Sequence, residues 1–335
     1  MPPMPASTRR RNMASQKVLV VTALVLSGLA CAARAQDDYP SRPLRIVVGF
    51  TPGGGPDITA RHIAQRLGES LKQQVIVENR PGAGGTVAAG MVARSPADGY
   101  TLLSVSSAHA VAAAIYPKLA YDTLKDLAGV TQTATSKYVL VAAPALGVRS
   151  VRELLAAARA RPGEINFSSA GVGSGTHFAA EIFKAMAAID VVHVPHKGIP
   201  EALGETLAGR VQFFMAPIAN AVNLLRDGRL VGLGVSSRTR DALLPELPTI
   251  DEAGVAGYEQ ELWFGLLAPS GVPRGIMMRL NAELGRILVD SDTKARWAPI
   301  GIEPRPTAPQ EFDRLVAGEI ALYTRIARAA NITSQ

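Results

Sequence analysis

The sequence predicts an α/β protein with parallel sheets and a ligand cleft at the strand tips. Three observations carry this. Apolar strand-like runs alternate with helical segments along nearly the whole chain. Three glycine-rich turns each follow such a run: residues 52–56, 81–85 and 168–175. The 300 residues after position 35 are enough for two domains of ordinary size.

The first 35 residues are expected to be removed. Arg9, Arg10, Arg11 and Lys17 precede an apolar stretch from Val18 to Ala30, and Ala33-Arg34-Ala35 has the A-x-A form of a signal-peptidase site. The apolar stretch is shorter than the roughly 20 residues of a membrane span. Cys31, the single cysteine, offers a lipoprotein alternative, but Gly28 stands where a lipobox prefers Leu. Cleavage after Ala35 leaves no cysteine, and with it no disulfide or thiolate chemistry. It also removes five of the 35 basic residues and none of the 28 acidic ones, so net +7 becomes 30 against 28, or +2. That balance gives no basic stripe for nucleic acid.

Leu44 to Arg61 is the most telling segment. Ile46, Val47, Val48 and Phe50 form a strand, Pro52-Gly53-Gly54-Gly55-Pro56 a turn, and Asp57 is expected to cap the following helix. Strand, glycine turn and helix start make an anion cradle, because unpaired N–H groups and the positive dipole end face the turn. The turn has neither the Lys and Ser/Thr of a P-loop nor G-x-G-x-x-G spacing, which argues against nucleotides. A plain connection without ligand is the simpler alternative.

Val75–Val77 is a second strand. Pro81-Gly82-Ala83-Gly84-Gly85 then leads into a helix at 86–94, and Leu102–Ser106 is a third strand. Tyr138–Ala142 is a strand, Val151–Ala160 a helix and Ile165–Phe167 a strand. Ser168 to Gly175 is the third glycine turn, and Thr176 opens a helix. Val191–Val194, Val211–Met215 and Leu230–Val235 continue as strands, and a helix ends at Arg226. Pro245 and Pro248 mark a crossing. Trp263–Ala268 is the last strand, followed by helices near 273–289, 292–298 and 308–330. No later segment is apolar and long enough to span a membrane.

The Gly173-Ser174-Gly175-Thr176-His177 run raises a serine hydrolase using Ser174 and His177. It lacks the G-x-S-x-G spacing and an acid to orient the histidine. His177, His193 and His196 show no metal-ligand spacing.

The motifs together resemble the periplasmic substrate-binding proteins of tripartite tricarboxylate transporters, the Bug family. They include Tyr39-Pro40-Ser41-Arg42-Pro43, Pro52-Gly53-Gly54 with Asp57 and Arg61, Asn79 to Gly85, and Asp98-Gly99-Tyr100-Thr101-Leu102. Ser168-Ser169-Ala170-Gly171, His193-Val194-Pro195 with Lys197-Gly198, Leu247-Pro248-Thr249, and Trp263 with Gly265-Leu266 follow in the family's order. The resemblance implies two doubly wound domains joined by a two-strand hinge, a type II periplasmic-binding-protein flytrap. Its lobes would be 36–140 plus 246–335, and 141–245. It implies capture of a small organic carboxylate (a dicarboxylate, tricarboxylate, amino acid or aromatic acid) by a periplasmic monomer without cofactor, metal or catalysis. Delivery would be to inner-membrane permease subunits, with a sensor as the alternative recipient. In the family, first-domain loops hold the carboxylate through backbone N–H groups and ordered water. Carried over, these are Thr51, Gly53, Gly54, Gly55 and Asp57, and Ala83, Gly84 and Gly85. The second-domain cradle would use Ser169, Ser174, Gly175, Thr176 and His177. Ser106, Ser107, His109, His196 and Asn220 would read the rest of the ligand. His196 stands where the family usually has Tyr, Gln212 where Asp is frequent, and Gly55-Pro56 replaces the usual pair before Asp57.

Overall fold

A computed structural model describes residues 39–116, 118–329 and 332; the expected signal segment 1–35, with Cys31, lies outside them. The chain divides at Ser41, and the fold is carried by the unit that begins at Arg42. In chain order its elements are β1 (Leu44–Val48), α1 (Gly55–Leu71), β2 (Val75–Asn79), α2 (Thr86–Ala93), β3 (Thr101–Ser106), α3 (Ala108–Ile115) and β4 (Leu127–Ala142). Then come α4 (Val151–Ala160), β5 (Asn166–Ser169), α5 (Gly175–Ala187), β6 (Val192–Pro195), α6 (Ile199–Leu207), β7 (Phe213–Pro217), α7 (Ile218–Arg226) and β8 (Val231–Val235). The chain finishes with β9 (Glu261–Pro269), α8 (Arg274–Val289), α9 (Ser291–Trp297), β10 (Ile302–Pro304) and α10 (Pro309–Ala329). Among the described residues no helix is long and apolar enough to cross a membrane.

The strand order is β2-β1-β3-β9-β4-β7-β5-β6, with β8 and β10 also paired to β4. β1 lies parallel to β2 and β3, and β5 parallel to β6 and β7. These are the parallel halves that the alternating pattern predicts. The long strands that link the two halves run the other way: β4 is antiparallel to β7, β8, β9 and β10, and β9 is antiparallel to β3. The parallel rule follows from helical crossovers. The residues between β8 and β9 form no helix, so β9 is free of that constraint.

β4 belongs to both sheets. Residues from Leu127 to Lys137 pair with β9, and Tyr138–Ala142 pair with β7 and β8. Its first half was invisible as an apolar run because it is polar and buried: Thr131, Gln132, Thr133, Thr135 and Ser136 are all buried. Their polar groups find partners in the chain's final segment. Thr131 Oγ1 donates to the Thr307 carbonyl at 3.0 Å, and Ser136 Oγ to the Gly301 carbonyl at 2.8 Å. Such pairing removes the cost of burying a polar group. Helices α3 and α6 also escaped the sequence reading. Neither has a side-chain cap to announce it.

The crossing assigned to Pro245 and Pro248 also moves. Val235 N–H donates to the Pro248 carbonyl, and Ile250 N–H to the Val235 carbonyl, both at 2.9 Å. Leu247 packs on the cluster of Val139, Phe214 and Val235. This stretch stays with the second sheet. The return runs through Gln260, whose N–H bonds the Ser236 carbonyl at 2.9 Å, into β9.

On β9, buried Trp263 donates its indole N–H to Glu319 of α10 at 2.6 Å. Burial pushes the Glu319 carboxyl up to about 7. A raised folded-state value means the folded protein holds a proton that the unfolded chain releases, so stability falls as pH rises from the unfolded value toward 7. Glu319→Gln keeps an acceptor for the indole and cannot ionise. It is expected to raise stability by about 2 kcal/mol at pH 8 and by little at pH 5. Equal changes in denaturant midpoint at both pH values would contradict this.

Candidate functional site

β1 delivers the chain into the loop Gly49 to Gly54, and α1 begins at Gly55 with Pro56 in its first turn, where a missing N–H costs nothing. A Cβ on Gly55 would lie 2.2 Å from the Phe264 ring, so only glycine lets this helix start approach β9. Asp57 is not the N-cap, which is Gly54. It sits inside the first turn and reaches back. Its carboxylate accepts the Gly53 N–H at 3.0 Å, Arg61 Nε at 3.0 Å and Asn79 Nδ2 at 2.9 Å. Asn79 also donates to the Phe50 carbonyl at 3.0 Å. Burial alone would raise the Asp57 carboxyl, but Arg61, the Gly53 N–H and Asn79 outweigh it and hold it below the usual carboxylate range.

The second loop crosses toward the other sheet. Gly84, at φ 64, is so placed that a Cβ would meet the carbonyl oxygens of Gly173 and Val172 at 3.3 Å. Between the sheets Tyr116 donates to the Val172 carbonyl at 3.4 Å, and Asn220 Nδ2 to the Gly53 carbonyl at 2.8 Å. The cleft is therefore closed. Behind these loops His109 is buried and stacked on Tyr121 at 6.2 Å, and burial pushes its imidazole down to about 4. Its Nε2 has no hydrogen-bond partner.

In the third loop, Ser174 caps α5 by accepting the His177 N–H at 3.2 Å, and it shares a 3.0 Å bond with Thr176. Thr176 Oγ1 accepts the Ala170 N–H at 2.9 Å. The His177 ring turns away: Nδ1 accepts the Gly173 N–H at 3.4 Å, and the ring stacks on His193 at 4.0 Å. Ser169 pairs with His193 Nε2 at 2.6 Å. Burial pushes His177 down to about 4 and His193 to about 3, the latter helped by the neighbouring His177. The sequence reading placed no acid near His177, but Glu181, one turn along α5, brings its Oε1 to 3.7 Å from His177 Nε2. The Ser174 hydroxyl caps the helix through the His177 backbone N–H, and the His177 ring stacks on His193. Among the described residues no three His, Cys, Asp or Glu gather to hold a metal ion.

Three chambers meet at Phe50. The inner one, ≈ 460 Å³ counted with its open mouth, takes in Thr51, Gly54, Gly55, Ser106, Ser174, Gly175 and Thr176 of the expected residues. The outer one, ≈ 840 Å³, is bordered by Thr51, Ala83, Gly84, Gly85 and His196. His196 Nε2 is buried without a partner. A smaller one of ≈ 250 Å³ is bordered by Gly84, Gly85, Ser106 and His109. Gly53, Asp57, Ser107, Ser169, His177 and Asn220 border none of the three; they brace the walls or join the sheets.

Sequence reasoning missed Phe50, Tyr138, Gly198, Ile199, Leu262 and Phe264 in the inner wall. Phe50 adjoins Thr51, and Gly198-Ile199 follows His196, so adjacency could have found those three. Tyr138, Leu262 and Phe264 lie on β4 and β9 and carry no local signal. Helices α1, α5, α6 and α7 all begin at this inner wall, and β3 ends there one residue before the Ser107 cap of α3.

The receptor profile of the tripartite tricarboxylate transporter family matches residues 59–332. The chain belongs to this family. Among its relatives is the protein BugT of Bordetella pertussis, 33% identical over 319 residues, which are 95% of this chain and 98% of BugT. Among solved structures, R. palustris Rpa4515 with adipate is 36% identical with a TM-score of 0.85, covering 88% of this chain and 99% of that one. MatC from Rhodopseudomonas palustris with bound malate is 33% identical with a TM-score of 0.82, covering 86% and 99%. The fold is the type II flytrap of these binding proteins, as the family resemblance implied.

Asp57→Ala removes the acceptor of three donors at once. It is expected to cost about 2 kcal/mol of stability and to loosen the first loop, seen as faster amide exchange at Gly53. An exchange rate equal to that of the unaltered protein would show that Asp57 does not brace the loop.

Proposed function

We propose that this protein captures a small organic carboxylate in the cleft between its two sheets and passes it to the permease of a tripartite tricarboxylate transporter. The observation that carries this reading is the inner chamber. Four helices begin at its wall, and no charged side chain lines it. Helix starts present N–H donors and partial positive charge, which suits an anion without a buried counter-ion. Rpa4515 with adipate and MatC with malate support the same ligand chemistry.

The hinge in this reading lies where β4 changes sheets, at Lys137-Tyr138, and where β9 begins. The lobes are the two parallel halves. Thr51, Gly54, Gly84 and Gly85 grip from one lobe, and Gly175, Thr176 and Gly198 from the other. The protein works in the periplasm as a monomer, exported by cleavage after Ala35, and it binds rather than converts its ligand.

Closure brings Gly198 against Thr51. A Cβ at Gly198 would lie 2.2 Å from Thr51 Oγ1, while its φ of 179 is extended backbone that any residue adopts. Adipate at about 100 times its dissociation constant is expected to add about 2.7 kcal/mol of stability. Gly198→Val is expected to keep the unliganded melting temperature within a few degrees and to weaken adipate at least tenfold in calorimetry. Unchanged affinity would mean that the ligand does not require this closure. If no carboxylate of a broad panel shifts the melting temperature, the binding reading itself falls.

A further inference from the structure

The walls of the cleft also bear on which carboxylates it accepts. We infer that it selects carboxylates with a hydrocarbon body, alkyl or aryl, and rejects the corresponding amino acids; this rests on the carboxylate-binding reading above.

Two independent observations lead there. The first is polarity. Phe50, Ile199, Pro217, Leu262 and Phe264 form much of the inner wall. Several wall hydroxyls are already engaged. Ser174 and Thr176 bond each other and the backbone, and the Tyr138 hydroxyl bonds Ser107. An apolar ligand body gains from burial here at roughly 25 cal/mol per Å².

The second is charge. Among the described residues no Asp or Glu borders any of the three chambers. The one Lys or Arg at their walls is Lys197, on the outer chamber. An α-ammonium group would therefore enter a closed space of helix N-termini, whose partial charges repel it, with no carboxylate to pair it. Both features favour an anion and an apolar body, and both disfavour a cation.

Ile199 is the residue through which this preference is most directly altered. It stands in the first turn of α6, and its Cδ1 would lie 3.7 Å from a Cβ on Gly54 across the cleft. An acid in the first turn of a helix is tolerated by the dipole, so Ile199→Asp places a carboxylate in the chamber at a position that accepts one.

The test uses matched pairs that differ only in the ammonium group: adipate against 2-aminoadipate, and 3-phenylpropionate against phenylalanine, each titrated by calorimetry into the purified protein. At least one ammonium-free acid is expected to bind, and at least a hundredfold more tightly than its amino partner. Ile199→Asp is expected to weaken that acid at least tenfold and to shrink the ratio within its pair, with its unliganded melting temperature measured to confirm folding. Amino partners that bind as tightly as the ammonium-free acids in the unaltered protein would overturn the inference while leaving carboxylate binding intact. A null result with every acid in the panel would overturn both. The unaltered-protein ratios decide the matter even if Ile199→Asp fails to fold.

Discussion

The buried Asp57 carboxylate holds the cleft together from outside it. It takes one hydrogen bond from the Gly53 N–H, a pair with Arg61 and one from Asn79, which also fixes the Phe50 carbonyl. A loop of three consecutive glycines would otherwise sample many conformations, each lost on binding. With Asp57 in place, the first loop is tied to α1 and to the end of β2. The N–H groups near Gly54 and Gly55 are then set before a ligand arrives, and preorganised donors lose less on binding than mobile ones.

The same economy shapes the opposite wall. Ser174 and Thr176 spend their hydroxyls on the start of α5 and on the Ala170 N–H. His177 and His193 are stacked and kept neutral by burial, so they add bulk without adding charge. The cleft thus holds positive potential in its backbone and very little in its side chains.

Much of this was legible in the sequence, because glycine turns after apolar runs have a local grammar. Residues from the loops at 51–57, 81–85 and 168–177 line the inner and outer chambers together. What the sequence concealed was long-range. Tyr138 and Phe264 enter the inner wall because β4 and β9 pair residues that lie more than 120 positions apart, and nothing near either residue announces it. The polar half of β4 hid for a related reason: Thr131 and Ser136 are acceptable inside only because Thr307 and Gly301 arrive much later to meet them. Roles were harder still. Asn220 was expected to read ligand, yet its amide joins the two sheets through the Gly53 carbonyl, 167 positions away in the chain.

In the proposed reading an anion is held by backbone donors and not by a cation. A crystal structure of the protein with adipate measures this directly. Carboxylate oxygens are expected within about 3.2 Å of backbone N–H groups in the glycine loops and helix starts, with no Lys or Arg nitrogen within about 4 Å. An adipate carboxylate paired with Lys197 or with an arginine, and remote from those N–H groups, would contradict it.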